Sequence, residues 1–168
     1  QAHIPYGPRS LDEIRELTTE ITRHLLTQGA KTVVVACNTA SAAALYHLRR
    51  SFPDVPFVGM EPAVKPAAKL SRSGVIAVLA TPANFQGELF ASLVERYGQR
   101  VKVIEQICPH LVQQVEAGEL DTPATMALLH EYLDPLLKRR ADVVVLGCTH
   151  YPFLTGAIQE VLGTAARV

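Results

Sequence analysis

The sequence lacks an excess of charge of either sign. Its 168 residues carry 16 basic residues (Lys and Arg) against 16 acidic ones, so the formal net charge is zero. Proteins that hold nucleic acids by neutralising phosphates normally show a basic excess. The balance therefore argues against a nucleic-acid partner.

Long hydrophobic runs are absent as well. The longest are short segments such as 33–37 and 75–80, whereas a helix needs about 18 apolar residues to cross a bilayer. Hydrophobic residues make up 48% of the chain and charged residues 19%, which is typical of a globular rather than a disordered protein. We therefore expect a soluble protein without a membrane partner.

Cysteine is scarce, with Cys37, Cys108 and Cys148 as the three occurrences. They are too few and too widely spaced for the disulfide framework of a small secreted protein. Gln1 is not followed by the charged and apolar regions of a signal peptide. These features predict free thiols in a cytoplasmic protein, and a chain that was processed or belongs to something longer.

Short β-branched runs alternate with longer segments of helical spacing, which is typical of βα units around a parallel sheet. The first helix is predicted from the cap at Ser10, with Glu13 completing the capping box, to Gly29. Its apolar repeat comprises Leu11, Ile14, Leu17, Ile21 and Leu25. Strands are predicted at 32–36, 56–59, 75–80, 101–107 and 143–146, and further helices near 39–51, 84–97, 109–118, 123–140 and 152–162.

The predicted fold is α/β, with two pseudo-symmetric lobes of mostly parallel sheets flanked by helices and an active site between the lobes. Two prolines in segment 61–66 favour a crossover near residue 60. The expected domains are 1–60, a partial first lobe carrying Cys37, and 61–168, a second lobe carrying Cys148.

A near-repeat is the most informative feature. In both 33–39 and 143–150, an apolar strand is followed by a cysteine and then by hydroxyl or amide residues suited to opening a helix. Cys37 and Cys148 would thus lie at the carboxyl ends of parallel strands, where open α/β sheets bind ligands. A helix N-terminus beside each would favour its thiolate.

Two plainer interpretations remain open. Cysteine is often a buried, small apolar residue at a strand end, and Cys108, which precedes Pro109 without such a frame, is interpreted as packing. Cys148 and His150 could also contribute to a metal site, but structural zinc normally uses four ligands and no C-x-x-C pair is present. We therefore predict no metal.

Two similar thiols suit inversion at a carbon atom, because one thiolate can remove a proton from one face while the other thiol returns one to the opposite face. A thiol with a pKa near 8.5 is a weak base for a proton α to a carboxylate, so the site must stabilise a carbanion-like state. Asn38, Thr39 and Thr149 are the candidate donors, together with neighbouring backbone amides.

The segments 36–41 (Ala-Cys-Asn-Thr-Ala-Ser) and 147–152 (Gly-Cys-Thr-His-Tyr-Pro) closely resemble glutamate racemases. The resemblance runs over the whole chain and implies a cofactor-independent isomerase that supplies D-glutamate for bacterial peptidoglycan, and so for cell-wall biogenesis and cell shape. Aspartate racemases share the two cysteines but typically carry glutamate at the position of His150. A homodimer is left open.

The resemblance also implies individual roles. Cys37 is similar to the base that acts on D-glutamate and Cys148 to the one that acts on L-glutamate. His150 would assist Cys148, and Glu116 resembles a family glutamate near the site; its plainer interpretation is a solvated carboxylate at a helix end.

Further substrate contacts follow from two other motifs. Segment 5–7 looks like the family's Pro-Tyr-Gly turn, which assigns substrate binding to Pro5, Tyr6 and Gly7. Thr81 resembles a family substrate contact, whereas the threonine expected three residues later is Asn84 here.

The chain departs from the family at both ends. The opening strand with its Asp-Ser-Gly loop and the closing return to the first lobe have no counterpart in the 168 residues. Two alternatives to glutamate racemisation follow: a related racemase of another acidic amino acid such as aspartate, and a noncatalytic fragment of the same fold.

Overall fold

The computed structural model describes residues 3–168 and divides into two compact units. Unit 1 comprises the chain up to Glu61 together with Pro82–Ser92, and unit 2 comprises Pro62–Thr81 and Leu93–Val168. The sequence pattern grouped residues 82–92 with the second lobe, whereas in the structure they pack with unit 1. The reason is contact between the helices Asn38–Ser51 and Pro82–Gln86. The limits of the lobes as domains stay a prediction.

Unit 1 is built on two parallel strands. Its elements are α1 (Leu11–Thr27), β1 (Val33–Val35), α2 (Asn38–Ser51), β2 (Phe57–Gly59), α4 (Pro82–Gln86) and the start of α5 (Glu88–Tyr97). Val33 pairs with Phe57, and both are buried with Val35 in one core. The first turns of α2 are rich in alanine, and these small side chains let neighbouring helices approach closely.

Helix α1 begins as predicted but buries a different face. Ser10 caps it by accepting a hydrogen bond from the Glu13 N–H at 3.2 Å. Ile14, Thr18 and Thr22 are buried, while Ile21 is 47% exposed, so the buried face follows only part of the apolar repeat. The threonine hydroxyls bond to carbonyls one turn earlier, so the buried face carries no unsatisfied hydroxyl.

A glycine interrupts the helix predicted near 84–97. A methyl group at Gly87 would lie 2.5 Å from the carbonyl oxygen of Ala42 on α2. The chain divides there into α4 and α5, and the absence of a side chain at Gly87 permits the close approach to α2.

Replacing Gly87 by alanine is expected to lower the free energy of unfolding by about 2–3 kcal/mol, because the overlap involves backbone atoms. Gly156, which lies in a helix with open space around its α-carbon, is the matched control. Gly156→Ala should raise stability by about 0.5–1 kcal/mol. Urea unfolding of both variants measures the difference, and equal stabilities would contradict the close approach at Gly87.

Unit 2 contains a three-stranded parallel sheet in the order β4-β3-β5. Its elements are α3 (Val64–Leu70), β3 (Val75–Ala80), the end of α5, β4 (Lys102–Ile107), α6 (Leu111–Glu116), α7 (Pro123–Lys138), β5 (Val143–Leu146) and α8 (Thr155–Leu162), with 3-10 turns at Gly98–Arg100 and Tyr151–Leu154. The fold class predicted from the sequence, α/β with parallel sheets flanked by helices, is confirmed.

Helix α3 was missed because the prolines near residue 62 suggested an irregular crossover. Pro66 is the third residue of α3, in the first turn, where proline is tolerated because no intrahelical partner needs its N–H. The helix predicted near 152–162 also differs, since it opens with the 3-10 turn Tyr151–Leu154.

Hydrogen bonds of Asp142 connect the start of β5 to the turn between α3 and β3. Its carboxylate accepts hydrogen bonds from the Ser71 hydroxyl at 2.6 Å and from the N–H groups of Arg72 and Ser73 at 2.7 and 2.8 Å. Burial alone would raise the pKa of Asp142, but these hydrogen bonds outweigh it and hold the pKa at about 2.

A lowered pKa contributes stability above the unfolded-state value, here near 3.8, which is lost as the pH falls towards 2. Because Asp142 is partly exposed, we expect Asp142→Asn to cost about 1–2 kcal/mol at pH 6 and much less near pH 2.5. Urea unfolding at both pH values measures this, with exposed Asp121→Asn as the control. A cost that does not depend on pH would contradict the assignment.

None of the helices in the described part of the chain has the length and apolar character that crossing a membrane requires.

Candidate active site

Cys37 stands at the junction of β1 and α2. It is the N-cap of α2, and its Sγ accepts a hydrogen bond from the Ala40 N–H at 3.4 Å. Backbone N–H groups at a helix start have no intrahelical partner and favour negative charge. The predicted setting, a partly buried thiol against a helix N-terminus, is therefore present at Cys37.

The turn at 5–7 lies in the same unit as Cys37. Tyr6 packs against the unit 1 core beside Cys37. The pKa of the Tyr6 hydroxyl is raised, first by burial and then by negative charge at Cys37, while Arg9 opposes the change. Pro5 is partly buried, and Gly7 is buried with its carbonyl accepting a hydrogen bond from the Ala83 N–H at 3.4 Å. Tyr6 and Cys37 are thus brought together.

Asn38 and Thr39 open α2 and are both buried, at 5% and 3% exposure. Within residues 3–168, nothing forms a hydrogen bond with the side-chain carbonyl oxygen of Asn38. Buried polar atoms normally have a partner, so an orphaned acceptor at a candidate site is informative. It offers a place for an N–H donor from a bound molecule.

Cys148 follows β5 and forms one end of a chain of three polar side chains. Its Sγ lies 3.8 Å from Nδ1 of His150, and Nε2 of the same ring lies 2.5 Å from Oε1 of Glu116. Cys148 is 7% exposed, whereas the side chains of His150 and Glu116 are 27% and 54% exposed. The chain of contacts thus runs from a buried thiol to a half-exposed carboxylate.

The partners of His150 assign its tautomer. A carboxylate only accepts, so Glu116 favours a proton on Nε2 and leaves the Nδ1 lone pair facing the thiol of Cys148. Glu116 ends α6, where a negative charge is unfavourable to the helix dipole, so its placement is better explained by His150 than by the helix. The geometry suits proton transfer between Cys148 and His150.

The helix start predicted beside Cys148 is a 3-10 turn, Tyr151–Leu154, rather than an α-helix. The N–H of Tyr151 donates to the carbonyl of Cys148 at 3.1 Å, a bond to the third preceding residue, and the N–H of Phe153 does the same to His150. Pro152, the second residue of the turn, has no N–H to donate, and the α-helix α8 begins only at Thr155. At this cysteine the histidine takes the place of the helix terminus.

Glycine before Cys148 allows the end of β5 to approach β3. A methyl group at Gly147 would lie 2.8 Å from the carbonyl oxygen of Leu79, which accepts the Gly147 N–H at the same distance. Thr149 follows as a partly exposed residue, and Thr81 is buried directly after β3. Both therefore follow carboxyl ends of the unit 2 sheet.

Cys108 is buried in the unit 2 core, as the packing interpretation predicted. Its thiol donates to the carbonyl of Gln106 at 3.5 Å, and burial, followed by charge at Cys148, raises its pKa far above the usual range. A thiol that stays protonated is a poor base. Residues 3–168 also contain no cluster of three or more His, Cys, Asp or Glu side chains that could hold a metal ion.

Ser41 ends the motif at 36–41, but no role is predicted for it from the sequence. It is 1% exposed and bonds to backbone groups at the ends of both unit 1 strands. A lone polar residue among the alanines at 40–44 was the available signal, because a buried hydroxyl requires a partner.

Comparison with known proteins gives the family. Residues 1–166 match the Asp/Glu/Hydantoin racemase family. A glutamate racemase from Roseiflexus sp. (strain RS-1) is 56% identical over 163 residues, which cover 97% of this chain and 60% of that relative. The chain therefore spans less than two thirds of the length of this relative.

The chain is also similar in structure to solved glutamate racemases. A glutamate racemase isoform from Bacillus anthracis superposes with a TM-score of 0.87 at 33% identity, covering 99% of this chain and 63% of that one. The Escherichia coli glutamate racemase, solved in complex with L-glutamate and the activator UDP-MurNAc-ala, gives 0.83 at 33% identity over 99% of this chain and 64% of its own. On the match over residues 1–166, this chain belongs to the Asp/Glu/Hydantoin racemase family.

Proposed function

We propose that the full-length protein interconverts L-glutamate and D-glutamate. The observation that carries the proposal is the chain from Cys148 through His150 to Glu116, because it gives one of two strand-end thiols a proton acceptor of fixed orientation. The relatives named above, described as glutamate racemases, support the choice of substrate. His150 also stands where aspartate racemases typically carry glutamate.

The proposed reaction is a two-base proton exchange. The Cys148 thiolate, formed when His150 takes its proton, removes the α-proton of L-glutamate, and the Cys37 thiol donates a proton to the opposite face. In the reverse direction Cys37 is the base and Cys148 the acid. After one turnover from L- to D-glutamate, Cys148 is protonated and Cys37 is a thiolate. Proton exchange with solvent or neighbouring groups must restore the starting state before the next turnover.

Substrate binding requires partners for two carboxylates and one ammonium group. The orphaned acceptor of Asn38 suits the ammonium group. Hydroxyl and backbone donors suit the carboxylates and the charge that develops on deprotonation. We assign substrate binding to Pro5, Tyr6, Gly7, Asn38, Thr39, Thr81 and Thr149.

The proposed chemistry uses thiols and needs no pyridoxal phosphate or metal. We place the protein in the cytoplasm, where cysteines stay reduced, and its product in peptidoglycan synthesis. Whether it acts as a homodimer is decided by its mass in solution.

The direct test is chiral chromatography of L-glutamate incubated with the full-length protein, in parallel with L-aspartate. We expect D-glutamate to form without added pyridoxal phosphate, undiminished by a chelator, and D-aspartate to form at least about 100-fold more slowly, a discrimination within reach of buried polar contacts. Preference for aspartate would support the alternative racemase, and turnover of neither substrate would overturn the proposal.

A further inference from the structure

Ser41 connects three backbone segments around Cys37. Its hydroxyl donates to the carbonyl of Val35 at 3.0 Å and accepts the N–H of Met60 at 2.9 Å. Its own N–H donates to the carbonyl of Cys37 at 2.8 Å. One buried residue thus holds β1, the start of α2 and the residue after β2.

These bonds lie where the strand pairing stops. The ladder between β1 and β2 ends at Val35 opposite Gly59, and Cys37 is two residues beyond it. Ser41 supplies the next connection with its side chain instead of a strand bond. The turn that carries Cys37 is thereby held on both sides of the thiol.

We propose that Ser41 is a positioning residue that keeps Cys37 Sγ against the Ala40 N–H and so sets how readily the thiolate forms. Ser41 does not touch the sulfur; it acts through the turn that presents it. The assignment of Cys37 to catalysis rests on the proposed function, but the effect of Ser41 on the thiolate does not.

The plain alternative is that Ser41 only stabilises the fold. Loosening the turn would then change how accessible Cys37 is, but not the pH at which it ionises. Iodoacetamide separates the two effects because it reacts with the thiolate: accessibility changes the plateau of the rate, whereas ionisation moves the midpoint of its pH dependence. Tyr6 is the titratable residue that the structure places beside Cys37, and its own pKa is raised, first by burial and then by charge at Cys37, while Arg9 opposes the change.

The experiment follows alkylation of Cys37 in the full-length protein between pH 6 and 10 by peptide mass spectrometry, with Cys148 in the same sample as the reference. For Ser41→Ala we expect the Cys37 midpoint to rise by about 0.5–1 pH unit while the Cys148 midpoint stays unchanged. Ser41→Thr, which keeps the hydroxyl, should have a Cys37 midpoint close to that of the wild type. Ser51→Ala, at the exposed end of the same helix, should have no effect.

Racemisation provides a second reading. A displacement of the thiol by a fraction of an ångström should lower kcat by about 10- to 100-fold with KM changed less than about threefold. If Ser41→Ala does not fold, the nearly isosteric Ser41→Cys replaces it, and the pH profile of kcat/KM is measured. The kcat/KM of Ser41→Cys should lie between the wild-type value and complete loss of activity. Unchanged Cys37 midpoints with an altered plateau, or a wild-type profile for Ser41→Cys, would overturn the proposal. Absence of racemisation in the wild type would defeat the proposed function alone, since the alkylation test stands without it.

Discussion

Cys37→Ala and Cys148→Ala are each expected to lower racemisation by at least about 10⁴-fold. Each change removes one of the two groups that exchange a proton with the α-carbon, and the proposed mechanism has no third group that exchanges a proton with that carbon. Because the thiols act as one unit, the double variant should be little worse than either single one. Chiral chromatography over long incubations measures the residual rates.

Cys108→Ala is the matched control, because this third thiol is buried and protonated in the unit 2 core. It should keep activity within a few-fold of the wild type, with some loss of stability from the smaller side chain. A loss at Cys108 comparable to that at Cys37 would show that the catalytic pair is assigned wrongly.

His150→Asn is expected to lower kcat by about 10²- to 10³-fold, because Cys148 loses the acceptor 3.8 Å from its sulfur. Glu116→Gln should cost about tenfold. The amide can donate to Nε2 and so favour the tautomer whose Nδ1 carries a proton towards the thiol. Steady-state rates in both directions measure these effects.

The contacts from Cys148 through His150 to Glu116 also predict which thiol loses reactivity when His150 is replaced. In His150→Asn, alkylation of Cys148 at pH 7.5 should slow while that of Cys37 stays constant, since the two thiols have different partners. Glu119→Gln, an exposed carboxylate change three residues beyond Glu116, is the control and should behave as wild type. Equal effects on the alkylation of both cysteines would contradict a role of His150 that is specific to Cys148.

The sequence pattern predicted those parts of the site whose residues are contiguous in the chain. The strand, cysteine and following helix start at Cys37 are contiguous in sequence, and the structure has them in that order. At Cys148 the same pattern misled, because a 3-10 turn follows the cysteine instead of an α-helix. The two motifs are therefore alike in sequence but differ in the hydrogen bonds of the turn that follows the cysteine.

Other features depend on tertiary packing, which spacing does not encode. Glu116 meets His150 across 34 residues of chain, and only the resemblance to a family connected the two. The core face of α1 follows Thr18 and Thr22 rather than Ile21, because alanine-rich α2 packs against the small side chains. The lone serine among alanines indicates a buried hydroxyl, but its partners at the ends of the two unit 1 strands follow from tertiary packing.

The central claim, that two thiols exchange protons on opposite faces of one carbon, is tested most directly by racemisation of L-glutamate in heavy water. The full-length protein is stopped at low conversion, and the α-hydrogen of each enantiomer is measured by mass spectrometry. Two bases predict D-glutamate that carries deuterium from the start and residual L-glutamate that keeps its proton. Equal deuterium in both enantiomers at low conversion, or D-glutamate retaining the original proton, would contradict the account.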